Sequence, residues 1–410
     1  MSALTERWNH SMWDESYNAG HFAPETGSTI IKNLRGAVTG RLGESILEVE
    51  TIRIENGTIV DMGGSADAAA DVVIDAQGAV ALPGLIDTHT HFSIGDFTPK
   101  QNAVGFIESY MHGGVTSMMS AGEVHFPGRP MDRDGAKALA VTASRSFTNY
   151  RPGGVRIHAG SLMTGPYMEQ PDYAELARQG VWLMKVGFGG FRVPKDAVPH
   201  VKWAQEAGFL VMSHSGGASS VPGVAPITVD DLLAMAPDIA GHINGGTTSL
   251  PEDHVKKLIT DSNAAIQLVQ AGNLAASLKI QRMAAENNAL ERVILGSDTP
   301  SGTGVMPLAI IKTICELSSI GGMAPTDVIS YATANAARVL RRPEGVLDLN
   351  RPADLVLVQE PVGGSQDHPL KAISNGDIPG IAGVIINGQI RALRSRNSPA
   401  PAREVQVEVF

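Results

Sequence analysis

The 410-residue sequence predicts an α/β protein: a (β/α)8 TIM-like barrel carrying a small β-sandwich domain built from both chain ends. Two observations predict it. Between residues 84 and 340, helical segments alternate strictly with short apolar runs, which implies parallel strands joined by crossover helices. On either side lie β-rich flanks punctuated by Asn-Gly and Gly-Gly turns. A barrel takes about 250 residues, which leaves room in this chain for a second module.

In chain order, residues 1–26 form a polar N-terminal extension without the apolar core of a signal peptide. Residues 27–83 hold the first part of the sandwich, in runs such as "STIIKNLRGAVTG" and "TIRIENGTIVDMGG". The barrel is expected over 84–342. Its helices include "RDGAKALAVTASRSF", "AVPHVKWAQEAG", "TVDDLLAMA", "PEDHVKKLITDS" and "NLAASLKIQRMAAEN", each followed within a few residues by a strand-like run. Residues 343–395 return to strands, with "ADLVLVQE" and "GIAGVIINGQIRAL" forming the second part of the sandwich. Residues 396–410 read as an extended C-terminal tail, placed to pack on a neighbour.

Composition narrows the partners. A net charge of -10 argues against nucleic acid, which asks for a basic patch. No run of about 18 apolar residues is present, so no membrane span is expected. The one cysteine, Cys315 in "IIKTICELSS", excludes an internal disulfide framework and reads as a buried helix residue in a reducing, cytoplasmic setting.

The chemistry starts at "ALPGLIDTHTHFSIGDF", residues 81–97. His89 and His91 are two apart, so on a strand both point the same way and both reach one ion. The apolar run before them puts them at the strand's C-terminal end, where barrel enzymes build their sites. One β/α unit takes about 31 residues. From His91 to Lys185 in "VWLMKVGFGG" is 94 residues, from there to His214 in "FLVMSHSGG" 29, then 28 to His242 in "DIAGHINGG" and 56 to Asp298 in "RVILGSDTPSG". These steps are close to three, one, one and two units, so the six residues fall at matching heights on strands 1, 4, 5, 6 and 8.

A lysine inside an apolar run is costly if buried without a partner, so the Lys185 amine should be neutral. A neutral amine can take up carbon dioxide, and the resulting N6-carboxylate offers two oxygens that can bridge two ions. The expected centre is two divalent metal ions, zinc foremost and iron or manganese as alternatives. His89, His91 and Asp298 hold one ion, His214 and His242 the other, and carboxylated Lys185 with a water bridges them. Paired cations lower the pKa of such a water toward neutrality, giving a bridging hydroxide. Asp298 then serves as general base, and as general acid to the leaving nitrogen.

With those residues in order, the chain resembles the amidohydrolase superfamily along nearly its whole length, from "ALPGLIDTHTHF" to the returning "PADLVLV". Within it the sequence is most similar to the enamidases, through "HGGVTSMMSAGEVHFPGRP", "GHINGG", "LVQAGN", "GSDTPSGTG" and "NGDIPGI". The resemblance implies hydrolysis of the C–N bond of a cyclic amide by lactam ring opening, a small-molecule substrate, and a homotetramer or other homo-oligomer. Lys185 departs from the enamidase pattern, which has a glutamate there, and matches the bridging lysine of hydantoinases and dihydroorotases.

Substrate contacts are expected from His125, Phe126 and Arg129 after strand 2, His158 after strand 3, and Gln270 and Asn273 after strand 7. Arg129 could clamp a carboxylate or close a loop salt bridge. Other readings are an exocyclic amide hydrolase of the peptidase-like or aryl-amide kind on the same metal site, and a non-catalytic assembly protein on this fold. The complete ligand set argues against the last.

Overall fold

The computed structural model describes residues 27–91, 101–122, 128–187, 189–217, 223, 225–245, 249–300 and 305–410. The N-terminal flank supplies β1 (Ser28–Lys32), β2 (Gly36–Ala37), β3 (Ile52–Glu55), β4 (Thr58–Met62), β5 (Val72–Asp75) and β6 (Val80–Pro83). The expected Asn-Gly turn joins β3 to β4. Both its residues are left-handed, at φ 50° for Asn56 and 74° for Gly57, as the tightest hairpins require.

The central segment supplies β7 (Leu85–Thr90), β8 (Val115–Ser120), β9 (Arg156–His158), β10 (Leu162–Met163), β11 (Leu183–Val186), β12 (Leu210–Ser213), β13 (Ile239–Ala240), β14 (Ala265–Val269) and β15 (Val293–Gly296). All their pairings are parallel, in the orders β7-β8-β9 and β10-β11-β12-β13-β14-β15. Between consecutive strands run helices that include Arg133–Asn149, Val198–Glu206, Glu252–Asp261 and Leu274–Glu286. Most of these strands are buried on every residue, as parallel strands covered on both faces must be.

One buried cluster draws Ile86, Met119, Leu183, Leu210, Met212, Ile239, Ala265 and Ile294 from successive strands, so these strands share a packed core. β15 reaches back to β7: the Asp298 amide donates to His89 O at 2.8 Å and the His91 amide to Thr299 O at 2.9 Å. Thr88 Oγ1 donates across the same seam to Leu295 O at 2.7 Å.

The chain closes with β16 (Leu355–Gln359), β17 (Gly380–Ile386), β18 (Gln389–Leu393) and β19 (Gln406–Val409). Two five-stranded sheets result, in the orders β19-β5-β1-β3-β4 and β18-β17-β16-β6-β2, so each mixes strands from both chain ends. Ile31, Ile52, Ile54 and Ile74 of the first share one buried core with Leu355, Leu357 and Ile385 of the second. The tail departs from expectation. Residues 406–409 do not extend away but pair antiparallel with β5, Val407 opposite Ile74, as an edge strand of the first sheet. Cys315 is a buried helix residue, as expected. Among the described residues no helix is long and apolar enough to cross a membrane.

Candidate metal centre

His89, on β7, is fully buried and His91, just past its end, is nearly so, and both rings turn to the same side. Asp298 lies two residues beyond β15, on the neighbouring edge. Its Oδ1 stands 3.4 Å from His89 Nε2 and 3.1 Å from His91 Nε2. The three ligand atoms lie within 4.8 Å of one another. The His214 and His242 rings meet edge to face at 4.3 Å between centroids, and His242 stands 5.4 Å from His89. The pair expected for a second ion thus adjoins the trio expected for the first.

Lys185, on β11, has no exposed surface, and its Nζ donates to Met212 Sδ at 3.1 Å. A side chain at position 241 would put a Cβ 3.3 Å from that nitrogen, so Gly241 brings the lysine beside His242. Gly296 does the same for His89, since a Cβ there would stand 2.5 Å from the histidine's own. Two ligands sit on left-handed backbone, His242 at φ 38° and Asp298 at 60°. Non-glycine residues hold that region at a cost of about 1–3 kcal/mol, common where a side chain must be aimed.

Burial, then the Lys185 charge, holds His89 well below the usual histidine range, and burial with His214 does so for His242. Burial takes His214 down to about 3 and Lys185 down to about 7. Burial also opposes the charge of Asp298, but His89 and His91 outweigh it and hold that carboxyl well below the usual carboxylate range. Burial thus favours neutral imidazoles at His89, His214 and His242, and Asp298 stays ionised beside them.

His91 Nδ1 lies 2.8 Å from Gly122 O, and its Nε2 faces Asp298 Oδ1 at 3.1 Å. His89 Nδ1 faces Gln267 Oε1 at 2.6 Å. The buried atoms His89 Nε2 and His242 Nδ1 have no hydrogen-bond partner among the described residues. Bare imidazole nitrogens beside a carboxylate and a near-neutral lysine are a donor set that fits divalent cations of the zinc type.

A model of the Amidohydrolase family matches residues 80–391. The chain belongs to that family. Enamidase of Eubacterium barkeri is 41% identical over 383 residues, covering 92% of this chain and 99% of that protein. Imidazolonepropionase of Mycolicibacterium smegmatis is 26% identical over 413 residues, covering 88% and 97%. A crystal structure of enamidase superposes with a TM-score of 0.89 at 40% identity, covering 93% of this chain and all of that one.

On this amidohydrolase scaffold the expected substrate contacts divide. His125 and Phe126 lie outside the described residues. Arg129 has no carboxylate partner among the described residues: its Nη1 is buried without a hydrogen bond and Nη2 reaches only Met131 Sδ at 3.4 Å. Tyr167 lies close to Arg129 and donates from its hydroxyl to Met163 O at 3.0 Å, and Met163 pairs with Lys185. Gln270, just past β14, keeps a buried Oε1 without a partner.

Of the other two, His158 is corrected and Asn273 has a partner in its own helix. His158 is not at the mouth, because its strand continues through a break to Met163 and His158 lies on the earlier half. Its Nε2 meets Glu344 Oε1 at 3.2 Å and its ring meets Trp182, three residues before Lys185, at 5.6 Å. Asn273 caps helix Leu274–Glu286, its Oδ1 accepting from the Ala276 amide at 2.9 Å. Two buried polar residues of the site escaped the sequence reading. Asp87 Oδ1 accepts the His89 and Ser297 amides at 3.1 and 2.9 Å. Gln267 interrupts "AAIQLV" as Lys185 interrupts its own apolar run, and that signal could have found it.

Proposed function

We propose that this chain is a metal-dependent hydrolase that opens the C–N bond of a cyclic amide, with enamidase-like lactams first among its substrates. The observation that carries the reading is the His89, His91 and Asp298 cluster beside His214, His242 and Lys185. The 41% identity to enamidase over 92% of the chain supports the cyclic amide as substrate class. The same reading takes the parallel strands as one closed (β/α)8 barrel over 84–342, which the seam from Asp298 to His89 supports. It takes segments 27–83 and 343–395 as a β-sandwich, which their shared core supports. The family resemblance supports a homo-oligomer, and the lone cysteine a cytoplasmic setting.

His89, His91 and Asp298 would hold one divalent ion and His214 and His242 the other, with N6-carboxylated Lys185 between them. Bound there, such ions supply Lewis-acid polarisation of a carbonyl and a water acidic enough to attack it. The remaining steps belong to the chain. Asp298, ionised and part-exposed, takes the proton of the attacking water and returns it to the leaving nitrogen. The buried amine of Lys185, in neutral form, adds to the carbon of carbon dioxide and gives up one proton, and the two oxygens gained would serve as ligands where the amine now meets a thioether. Arg129 offers an unpaired guanidinium edge to a ring carboxylate, and Gln270 offers an amide oxygen to a ring N–H.

The test is a mass-spectrometric screen of metal-loaded protein. The panel holds unsaturated lactams with a ring carboxylate, hydantoins, dihydropyrimidines and cyclic imides, beside N-acyl amino acids and aryl amides. Gain of one water on a cyclic compound is expected. Cleavage of the open-chain amides alone would overturn the ring-opening reading and leave the metal centre.

A further inference from the structure

Gln267 is a wholly buried amide on β14, and every hydrogen bond it can make is made. Its Oε1 faces His89 Nδ1 at 2.6 Å and accepts the His242 backbone amide at 3.2 Å. Its Nε2 donates to Thr88 O at 3.1 Å and to Thr88 Oγ1 at 2.9 Å. Two of these four partners have fixed roles, and they settle which way the amide points. A backbone N–H can only donate, so the end toward His242 is the oxygen. A backbone carbonyl can only accept, so the end toward Thr88 is the nitrogen. Thr88 Oγ1 spends its own proton on Leu295 O at 2.7 Å, which leaves a lone pair for Gln267.

An oxygen facing His89 requires the hydrogen on Nδ1. Free imidazole prefers the opposite tautomer, whose hydrogen would cover Nε2 on the side of Asp298. The same oxygen holds the amide of His242, a residue on left-handed backbone whose ring stands 5.4 Å from that of His89. One side chain thus bears on a member of each ligand group.

We propose that Gln267 is a positioning residue of the metal centre: it locks His89 as the Nδ1–H tautomer and ties that ring to the backbone of His242. The role rests on the metal-centre reading above, and Gln267 itself touches neither ion nor substrate. An amide serving only to fill the core would be replaceable by a side chain of like volume at no cost to metal binding.

Two measurements test this. In the full-length chain stripped of metal, with histidines labelled in ¹⁵N and the His89 signal assigned by its loss in His89→Gln, long-range ¹H–¹⁵N NMR should show a protonated Nδ1 and a bare Nε2. A protonated Nε2 would overturn the proposal, and this experiment needs no variant of Gln267. Titration with zinc should then show binding about 10–100-fold weaker in Gln267→Met, the usual effect of removing the partner of a ligating histidine. Gln267→Glu restores an acceptor for His89 but no donor for Thr88 O, so it should recover part of the affinity. A folded Gln267→Met that binds zinc like the wild type, or a Gln267→Glu no better than a folded Gln267→Met, would reduce Gln267 to a packing residue. If Gln267→Met does not fold, the tautomer decides alone. Failure of the wild-type chain to bind zinc would sink the metal centre and not the tautomer.

Discussion

An ammonium needs several oxygen partners, and Lys185 in the uncarboxylated chain has a thioether. Burial therefore brings its amine down to about 7, so a large share of it is uncharged at neutral pH, with no acidic side chain of the described residues in ion-pair contact. Conversion to a carboxylate resolves that mismatch only if cations lie alongside, which ties the lysine to the histidines. We expect Lys185→Ala to lose bound metal and turnover together, and short carboxylic acids to restore part of both. Wild-type turnover and metal content in that variant would remove the bridge from the mechanism. In the proposed mechanism Asp298 both ligates and carries a proton. Asp298→Asn keeps one oxygen but loses the basic carboxylate, so kcat should fall by roughly 10²–10⁴, the usual worth of a general base, while metal content by elemental analysis falls far less. Parallel loss of both would make Asp298 a ligand alone.

At the scale of elements, helix Leu274–Glu286 shows how a residue near the site can be structural. The Asn273 carboxamide takes the Ala276 amide, one of the four donors a helix N-terminus leaves open. Asn273→Ala should therefore cost about 1 kcal/mol in urea unfolding and leave KM unchanged, whereas a rise in KM would reinstate it as a substrate contact. What the sequence disclosed about elements follows the range of the forces involved. The hairpin turn at Asn56 and Gly57 and the helices of the central segment rest on local periodicity and turn chemistry, and they stand where expected. The break inside "VRIHAGSLM" does not. It turns on Gly160, at φ 82°, where any Cβ would stand 2.4 Å from Ala140 O of the packed helix Arg133–Asn149. A contact 20 residues distant leaves no mark in local pattern, and missing it carried His158 to the wrong end of its strand. The candidate ligands were legible as a group because the spacing of β/α units repeats, which brings their residue types to one height. Gln267 left only the mark of a polar residue in an apolar run, which flags the position, while a glutamine declares its role through its partners.

The whole molecule is held together where the chain leaves the central segment for its second set of strands. Glu344 lies there, almost fully buried, with its Oε1 3.2 Å from His158 Nε2 and 3.8 Å from Arg342 Nε. Beside it Arg156 forms an ion pair with buried Asp354 and donates to Asn387 Oδ1 at 3.3 Å, linking β9 to the turn that joins β17 and β18. Burial alone would raise the Glu344 carboxyl, but the hydrogen bond from His158 and the charge of Arg156 outweigh it and bring it down from 4.5 to about 2. Such a group stabilises the fold fully above its unfolded value, and the contribution is lost as pH falls through the folded one. Each pKa unit is worth about 1.4 kcal/mol, but burial keeps His158 uncharged at neutral pH, so the buried carboxylate contributes about 1–3 kcal/mol there. Glu344→Gln keeps the shape and loses the charge. At pH 7 it should unfold in urea with a free energy about 1–3 kcal/mol below the wild type, and the gap should close between pH 4.5 and 2. Metal ligation should be untouched, because His158 lies on the earlier half of its strand, away from Lys185, and Glu344 packs against it there. A gap that stays constant as pH falls would assign the loss to packing, and a loss of metal in Glu344→Gln would mean that this end of the molecule and the centre are coupled.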